Sequence, residues 1–218
     1  MTTSAPLTTA WSTDPYTLAL RAGRGPLFLH RADGHRLRLE VERWCRRPDA
    51  ADQTVLERCV GTVLDVGCGP GRMVAALARQ ARPALGIDTA WAAVRHTRDR
   101  GGTALLRSVF DALPDEGRWD SVLLMDGNVG IGGDPLALLR RLGQLVTPGG
   151  LLLVEAAGIE VDERFDAWLD DDRGGTSPPF PWARVGMRAL YEHARAAGWE
   201  QVARWTEQAR PFLALRPA

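Results

Sequence analysis

Three glycines at alternating positions, in the segment Val63-Leu-Asp-Val-Gly-Cys-Gly-Pro-Gly-Arg72, limit the local backbone to a sharp turn. The mostly apolar residues before them, Thr62–Val66, predict a buried strand. The residues after them have apolar side chains at helical spacing and predict a helix over 71–82. Glycine has no Cβ, so a ligand can approach the turn closely, and the start of the helix offers free N–H donors.

The chain then alternates between strands and helices, which predicts a parallel sheet covered by helices on both faces. Near the C-terminus, a helix is predicted over 184–197, followed by two short strands, Trp199–Trp205 and Phe212–Leu215, paired antiparallel. The stretch 160–183 is polar and is predicted to be a loop, and Thr147–Gly150 a turn. The further predicted strands are 84–88, 104–107, 120–125 and 151–156, and the further predicted helices are 90–100 and the segment that begins at Asp134-Pro135.

The first part of the chain is less regular. Residues 1–13 are small, polar and Thr-rich, which is typical of a mobile terminus. Short helices are predicted over 16–22 and 50–60. The segment Arg36–Val41 fits either a short strand or an exposed helix, and its pattern does not decide between them.

Acidic residues lie at the ends of the predicted strands. Asp65 lies just before the glycines, Asp88 ends the second strand, and Asp111 follows the third. Strand ends on one side of a parallel sheet meet at one edge, so these side chains should line one crevice. A carboxylate such as Asp88 can accept both hydroxyl protons of a ribose, which indicates an adenosine-bearing ligand.

The D-x-G-x-G-x-G spacing that begins at Asp65 resembles motif I of the class I S-adenosylmethionine-dependent methyltransferases. Asp88 is similar to the acidic residue of their second strand, Phe110-Asp111 to their adenine-binding segment, and Leu145–Val154 to the start of their fifth strand. The resemblance covers roughly residues 55–157. It implies a Rossmann-like, doubly wound α/β fold with a seven-stranded, mostly parallel sheet, an antiparallel C-terminal strand and helices on both faces.

The resemblance also implies the cofactor, S-adenosyl-L-methionine, and the residues that hold it. Asp65, Gly67 and Gly69 would hold the methionine end, next to Gly71, and Asp88 the ribose. Phe110 and Asp111 would contact the adenine, and Asp126 or Asn128 would contact the amino acid part or orient the acceptor. Residues 55–218 would form the methyltransferase domain, and residues 1–54 an extension, partly flexible, that caps the acceptor site.

The catalytic residues are less defined. A general base is needed only if the acceptor must lose a proton. His30, His35 and His193 are the weak candidates, and packing or exposure is the simpler explanation of each. Phe180 and Trp182 can wall an apolar acceptor pocket or anchor a loop, and Arg184 can bind an acidic acceptor or lie at the surface. The chain has Glu155-Ala-Ala where metal-dependent members carry Asp-Asn, so no metal is expected.

The amino-acid composition limits the classes of partner that we expect. The 27 acidic residues balance 27 basic ones, all of them arginine, so no nucleic acid or membrane partner is expected, and the acceptor is predicted to be a small molecule. Three cysteines without C-x-x-C spacing favour a reducing cytoplasm. The sequence gives no indication of oligomeric state.

Two other functions fit the glycine-rich turn. One is a protein that binds S-adenosylmethionine without turning it over, because its cofactor motifs would be identical. The other is an NAD(P)-dependent oxidoreductase. That function requires the glycine spacing G-x-G-x-x-G, and its short-chain type requires Tyr-x-x-x-Lys, whereas Arg195 stands four positions after Tyr191 in a chain without lysine.

Overall fold

The computed structural model describes residues 14–218, so the terminus expected to be mobile, residues 1–13, lies outside the described part of the chain. The helices are α1 (Pro15–Ala22), α2 (Val41–Cys45), α3 (Ala50–Leu56), α4 (Arg72–Arg79), α5 (Trp91–Asp99), α6 (Pro135–Leu145) and α7 (Met187–Ala196). The strands are β1 (Phe28–Arg31), β2 (Arg36–Arg38), β3 (Val63–Val66), β4 (Ala84–Asp88), β5 (Ala104–Leu106), β6 (Trp119–Leu124), β7 (Val146–Glu155), β8 (Asp162–Asp170), β9 (Phe180–Val185), β10 (Trp199–Glu207) and β11 (Arg210–Pro217). A 3₁₀ segment, Asn128–Gly133, follows β6.

The main sheet has seven strands in the order β10-β11-β7-β6-β3-β4-β5. Strands β3 to β7 within it pair in parallel, while β11 is antiparallel to both β7 and β10. The chain order reverses at β3, with β4 on one side and β6 on the other, and ligands bind at such switch points in open α/β sheets. The predicted fold class and the C-terminal hairpin are confirmed.

The helices pack on both faces of this sheet because each has one apolar face. Met73 and Leu77 of α4 pack with Val55 of α3 on one face, and Leu138 and Leu142 of α6 pack on the other. Each such leucine, fully buried, contributes about 1.5–3 kcal/mol. Helix α6 begins as predicted, since the Asp134 side chain accepts hydrogen bonds from the backbone of Leu136 and Ala137.

A second sheet of four strands, which we call the lid sheet, has the order β2-β1-β8-β9. The prediction of a loop over 160–183 was therefore wrong: β8 and the start of β9 together occupy about half of it, and Phe180 to Trp182 lie on β9. Strand β8 pairs with β1, for example Leu29 opposite Leu169, so its partner is far away in the sequence. The undecided segment at Arg36 forms β2.

The two faces of the lid sheet differ. Leu29 and Ala167 are buried on the inner face, where Leu169 packs against the cluster formed by α1 and α5. Asp166, on the outer face, is exposed. Strand β9 lies against the 3₁₀ segment, since a Cβ on Gly133 would stand 2.9 Å from Pro181 Cβ. The lid sheet therefore lies beside the carboxyl end of β6.

Two further boundaries differ from the predictions. Thr147–Gly150, predicted as a turn, forms the first half of β7. Helix α7 begins at Met187, and Arg184 belongs to β9. Helix α3 spans the predicted boundary between residues 54 and 55.

Candidate functional site

The glycine-rich turn connects β3 to α4, as the sequence predicted, and its three glycines have different surroundings. All three have positive φ: +70° at Gly67, +53° at Gly69 and +79° at Gly71. A Cβ on Gly67 would stand 2.5 Å from Asn128 Nδ2, and one on Gly71 would stand 2.6 Å from Thr97 Cγ2. These two positions require glycine because protein atoms crowd them.

Gly69 is different, because a Cβ there would meet only the hydroxyl of Tyr16, at an ordinary 3.5 Å. Gly69 is buried under Tyr16, but protein atoms do not crowd the position that its Cβ would occupy. Of the three glycines, Gly69 is the one whose missing side chain leaves room for something other than protein.

Asp88 ends β4 next to this turn. Its Oδ2 accepts a hydrogen bond from Gly69 N at 2.9 Å, and its Oδ1 accepts one from Ala90 N at 2.8 Å. Burial raises the pKa of Asp88 to about 6, against the lowering effect of these hydrogen bonds. A carboxylate has about four lone-pair positions, so Asp88 keeps the capacity to accept a further hydrogen bond from a ribose.

Asp65 lies on β3 directly under the turn and is only 2% exposed. Within residues 14–218 no group donates a hydrogen bond to its carboxylate. Burial raises the pKa of Asp65 to about 7; the positive charge of Arg72 opposes this shift, and the negative charges of Asp126 and Asp88 add to it. Because a buried carboxyl without a partner is unfavourable, Asp65 is suited to pair with a cationic ligand group.

Phe110 and Asp111 follow β5 at the same edge of the sheet. The Phe110 ring is 49% exposed and lies beside the 3₁₀ segment, 2.9 Å from where a Cβ of Gly132 would be. Asp111 is exposed, and its carboxylate accepts a hydrogen bond from Ser108 N at 3.0 Å. Both side chains are free to meet a flat ligand from the solvent side.

Asp126, which follows β6, lies in a buried group of charges rather than in open space. Its Oδ1 accepts from Arg72 Nη2 at 3.1 Å and pairs with Arg43 Nη2 at 2.8 Å. Burial acts to raise the pKa of Asp126, but the guanidinium groups of Arg72 and Arg43 outweigh it and hold that pKa below its usual range. Neighbouring Asn128 donates to the carbonyls of Val66 and Gly67, so it fixes the turn from below.

The sequence analysis missed the remainder of this group of charges. Arg72 is 5% exposed and donates from Nε to Asp52 Oδ2 at 2.7 Å. Arg210 pairs with Glu155 at 2.7 Å and also with Asp52. One signal was available: Arg72 stands in the first turn of α4, where a cation opposes the helix dipole and so needs acidic partners.

The N-terminal part of the chain also reaches the site, which the sequence did not indicate residue by residue. Helix α1 places Tyr16 over Gly69, and helix α2 supplies Arg43 to Asp126. Burial, and then the negative charge of Asp88, raises the pKa of the Tyr16 hydroxyl well above its usual value, so it remains protonated. Trp44 packs edge-on against Tyr16, with ring centroids 6.3 Å apart.

The three candidate histidines do not lie at the glycine-rich turn. His30 is on the outer face of the lid sheet, stacked on Trp168 with ring centroids 5.6 Å apart. The His35 side chain is 81% exposed beside Asp33. His193, on α7, contacts Asp162 through Nε2 at 2.9 Å.

The inner face of the lid sheet carries a mixed aromatic and charged group instead. Phe165 stands opposite Trp182, and the Arg31 guanidinium lies 4.4 Å from the centre of the Phe165 ring. Arg31 pairs with Glu163 at 2.8 Å, and Arg184 approaches the same carboxylate at 3.8 Å. Trp182 reaches the 3₁₀ segment, where a Cβ on Gly130 would stand 2.8 Å from its indole Nε1.

Two hollows lie elsewhere on the surface. One of about 580 Å³ is at the amino ends of the strands, lined among others by Thr62 and Trp119. Another of about 680 Å³ lies between α7 and β10, beside Tyr191 and Trp199. Neither hollow contacts the glycine-rich turn. The candidate site is therefore located by the polar residues at the carboxyl ends of the strands. Within residues 14–218, no helix is long and apolar enough to cross a membrane, and no three His, Cys, Asp or Glu side chains are grouped as metal ligands.

A family model described as a methyltransferase domain matches residues 33–203, most of the chain. The chain belongs to the class I S-adenosylmethionine-dependent methyltransferase family. The family match spans β3, β4 and β6, so it includes the glycine-rich turn, Asp88 and Asp126. It also spans β2 and the lid strands β8 and β9. A search of curated proteins gave no match.

Solved structures share the fold of this methyltransferase. A S-adenosylmethionine-dependent methyltransferase from Bacteroides fragilis, in complex with S-adenosyl-L-homocysteine, is 21% identical, with a TM-score of 0.79 over 99% of this chain and 98% of that one. The methyltransferase CcbJ from Streptomyces caelestis is 17% identical, with a TM-score of 0.60 over 77% of this chain and 94% of that one. The 1,6-didemethyltoxoflavin-N1-methyltransferase from Burkholderia thailandensis is 18% identical, with a TM-score of 0.58 over 78% and 79%.

Proposed function

We propose that this methyltransferase transfers a methyl group from S-adenosylmethionine to a small-molecule acceptor held between the glycine-rich turn and the inner face of the lid sheet. The observation that carries the proposal is the grouping at one sheet edge of Asp65, a buried carboxyl without a hydrogen-bond donor within residues 14–218, Gly69, where protein atoms do not crowd a Cβ, and Asp88, a carboxylate bound to the glycine-rich turn. The lid sheet stands beside that edge through β9.

The side chains on the inner face of the lid sheet are suited to bind a compact, planar acceptor. It presents three half-buried aromatic side chains, Phe165, Phe180 and Trp182, the last two in edge-on contact at 6.0 Å. Arg31, Glu163 and Arg184 supply polar groups around them. Pockets for small ligands combine an apolar wall with a few placed polar groups, and this surface has that composition.

The solved neighbours support the same acceptor class by analogy. The Burkholderia thailandensis enzyme is described with bound 1,6-didemethyltoxoflavin and S-adenosylhomocysteine. A neighbour with 13% identity is a glycopeptide N-methyltransferase, so acceptors in this fold also include larger peptides. The lid sheet of this chain, with half-buried aromatic side chains on its inner face, favours the smaller class.

The cofactor, when bound, supplies an electrophilic methyl group on a sulfonium. Asp65 would pair with the ammonium of its amino acid part, Asp88 would accept from the ribose hydroxyls, and Phe110 would border the adenine. Aligning the acceptor with the methyl group is worth up to about 7–11 kcal/mol. We therefore propose that the chain works mainly by orientation, since His30, His35 and His193 do not lie at the turn.

The first test is calorimetry of the full chain with S-adenosyl-L-homocysteine, followed by a screen of small aromatic and heteroaromatic nucleophiles for its release from S-adenosylmethionine. We expect binding, and turnover with at least one acceptor. Absence of binding would contradict the cofactor site. Binding without turnover across the screen would instead favour a non-catalytic S-adenosylmethionine-binding protein.

A matched pair of tryptophans on the lid sheet tests where the acceptor lies. Trp182→Ala, on the inner face, should raise KM for the identified acceptor at least fivefold while the affinity for S-adenosylhomocysteine stays within twofold. Trp168→Ala, on the outer face, should change neither. Equal effects of the two substitutions on KM would place the acceptor away from the inner face.

We also propose that the enzyme acts in a reducing cytoplasm. Cys45, Cys59 and Cys68 are all unpaired, and Cys59 and Cys68 are buried. Burial raises the pKa of the Cys59 thiol to about 12, so it behaves as a small apolar side chain.

A further inference from the structure

Arg184 lies on β9 with a guanidinium group that the protein leaves mostly unpaired. Its one ion pair within residues 14–218 is with Glu163, at 3.8 Å, a distance beyond that of a hydrogen bond. The Arg184 side chain is 26% exposed, so a ligand can reach the N–H donors of its guanidinium. An acidic ligand can therefore bind Arg184 without displacing a hydrogen bond that the protein makes.

Arg31, on the same face of the lid sheet, already has close partners. Its Nη1 contacts Glu163 and its Nη2 contacts Asp33, both at 2.8 Å, and its guanidinium lies over the Phe165 ring. Glu163 is therefore held more closely by Arg31 than by Arg184, at 2.8 Å against 3.8 Å. Of these two arginines, Arg184 is the one available to a ligand.

The register of the lid sheet places Arg184 beside the aromatic side chains. Arg184 stands opposite Glu163 on β8. Two residues away on β9, Trp182 stands opposite Phe165, so these side chains share the inner face. Residues two apart on a strand are separated by about 6.6 Å, so an aromatic ring against Trp182 can reach Arg184 with a substituent on its rim.

The backbone around Arg184 is attached to the carboxyl edge of the main sheet. On one side of Arg184, Trp182 lies against Gly130 in the 3₁₀ segment that follows β6. On the other side, the carbonyl of Val185 accepts a hydrogen bond from the backbone N–H of Ala157, just after β7. Arg184 therefore stands at the sheet edge that also carries the glycine-rich turn.

We propose that the acceptor is an aromatic compound bearing a carboxylate, which Arg184 binds while Phe165 and Trp182 contact the ring. This inference rests on the proposed function, because it concerns the acceptor of the same methyl transfer. A guanidinium can bind a carboxylate through two parallel hydrogen bonds, which fix the orientation of the ring as well as its position. A carboxylate fits better than a phosphate dianion, since Glu163 stands beside Arg184 and would repel a second negative charge.

The carboxylate in this arrangement serves for binding and is not itself methylated. A hydroxyl or amine elsewhere on the ring attacks the methyl carbon, the carbon–sulfur bond breaks with its electron pair going to sulfur, and the proton of the acceptor goes to water. The products are the methylated aromatic acid and S-adenosylhomocysteine. The site therefore selects its acceptor by a group other than the one that reacts.

The test uses aromatic acids paired with their neutral amides, which differ chiefly in the negative charge. The probes are salicylate with salicylamide, 4-hydroxybenzoate with 4-hydroxybenzamide, and anthranilate with anthranilamide. Each is titrated by calorimetry into the full chain saturated with S-adenosylhomocysteine, and is then assayed for methyl transfer from S-adenosylmethionine. At least one acid should bind about 10- to 100-fold more tightly than its amide, as expected for charge-assisted hydrogen bonds.

Substitutions on the two faces of the lid sheet test whether Arg184 is the cause of this preference. Arg184→Gln should reduce the preference to within twofold by weakening the acid and not the amide. Arg164→Gln is the matched control, because Arg164 is an exposed arginine on the outer face of the same sheet, and it should keep the preference. If Arg184→Gln is poorly folded by circular dichroism, Glu163→Gln provides a second measurement. Removing this competing carboxylate should strengthen binding of the acid roughly threefold or more.

The outcomes separate this inference from the proposed function. If the wild type does not bind S-adenosylhomocysteine, the proposed function fails and this inference fails with it. If the wild type binds S-adenosylhomocysteine but no acid binds better than its amide, only the carboxylate assignment is wrong. A preference for the acid that both Arg184→Gln and Arg164→Gln retain, or binding of the acid that Glu163→Gln leaves unchanged, would overturn the role given to Arg184.

Discussion

Replacing Asp65 with asparagine should stabilise the free protein while impairing its ligand binding. The carboxyl is buried under the glycine-rich turn, receives no hydrogen bond within residues 14–218, and has a pKa of about 7 instead of 3.8. A folded-state pKa above the unfolded value means that its contribution to stability is fully present below pH 3.8. That contribution is then lost as the pH rises to about 7.

The size of the effect follows from the size of this shift. A shift of about three pKa units corresponds to about 4 kcal/mol, at about 1.4 kcal/mol per unit, and Asp65 is buried enough that solvent screening does not reduce it. Asparagine has no charge to lose, so the difference in unfolding free energy between variant and wild type should grow by about 3 kcal/mol from pH 5 to pH 8. Titrating groups that do not interact with Asp65 cancel in this difference.

Urea unfolding at pH 5, 6, 7 and 8, followed by circular dichroism, measures this difference directly. Asp99→Asn, at an exposed aspartate on α5, is the control and should show no pH-dependent difference. A constant difference for Asp65→Asn would show that Asp65 ionises normally and would refute the reasoning. Calorimetry at pH 8 should in addition show at least tenfold weaker binding of S-adenosylhomocysteine to Asp65→Asn.

Four other substitutions test the rest of the site. Asp88→Ala should weaken S-adenosylhomocysteine binding at least tenfold by calorimetry, since two hydroxyl contacts are lost, and unchanged affinity would contradict the ribose assignment. Gly69→Ala should remain folded yet bind the same ligand poorly. Gly71→Ala should instead lower the melting temperature sharply, because its Cβ would collide with Thr97. Similar behaviour of the two variants would contradict the distinction drawn between these glycines. Arg72→Leu should destabilise the fold by about 3–5 kcal/mol in urea, as expected when buried Asp52 and Asp126 lose a partner, and a loss below 1 kcal/mol would show that Arg210 suffices.

The main sheet and the cofactor motifs were predictable from the sequence because their signals are local. The strand before Gly67, the turn, and the helix after Gly71 lie within a short segment whose apolar periodicity and glycine spacing are both visible. Asp65 and Asp88 could be located at one edge because parallel strands end on the same side of a sheet.

The lid sheet could not be predicted in the same way. Strand β8 has charged residues on the outer face at Asp162, Arg164 and Asp166, and only Ala167 is fully buried on the inner face, so its sequence resembles a polar loop. Its partner β1 comes from the other end of the chain. A strand whose hydrogen bonds depend on so distant a partner leaves little trace in its own sequence.

The group of charges around Asp126 was missed for a related reason. Arg72, Asp52 and Arg210 come from three separate parts of the chain, and each on its own is typical of a surface residue. Their burial becomes evident only once α3, α4 and β11 are packed together.

The arrangement as a whole shows how this fold tolerates a site with unfavourable groups. Asp65 without a donor, and Arg43 and Trp44 with unpaired donors, each reduce the stability of the free protein. Arg72 and Arg210, each paired with two or more acids, connect α3, α4, β7, β11 and the loop after β6 around these groups. A ligand that pairs with the unsatisfied groups then adds stability by linkage, about 2.7 kcal/mol at a hundred times its Kd. Because α1 leads into β1 and β2 leads into α2, the same segment brings Tyr16 and Arg43 to the candidate site and forms half of the lid sheet. A ligand bound at the glycine-rich turn should therefore also steady the surface against which the acceptor is proposed to lie.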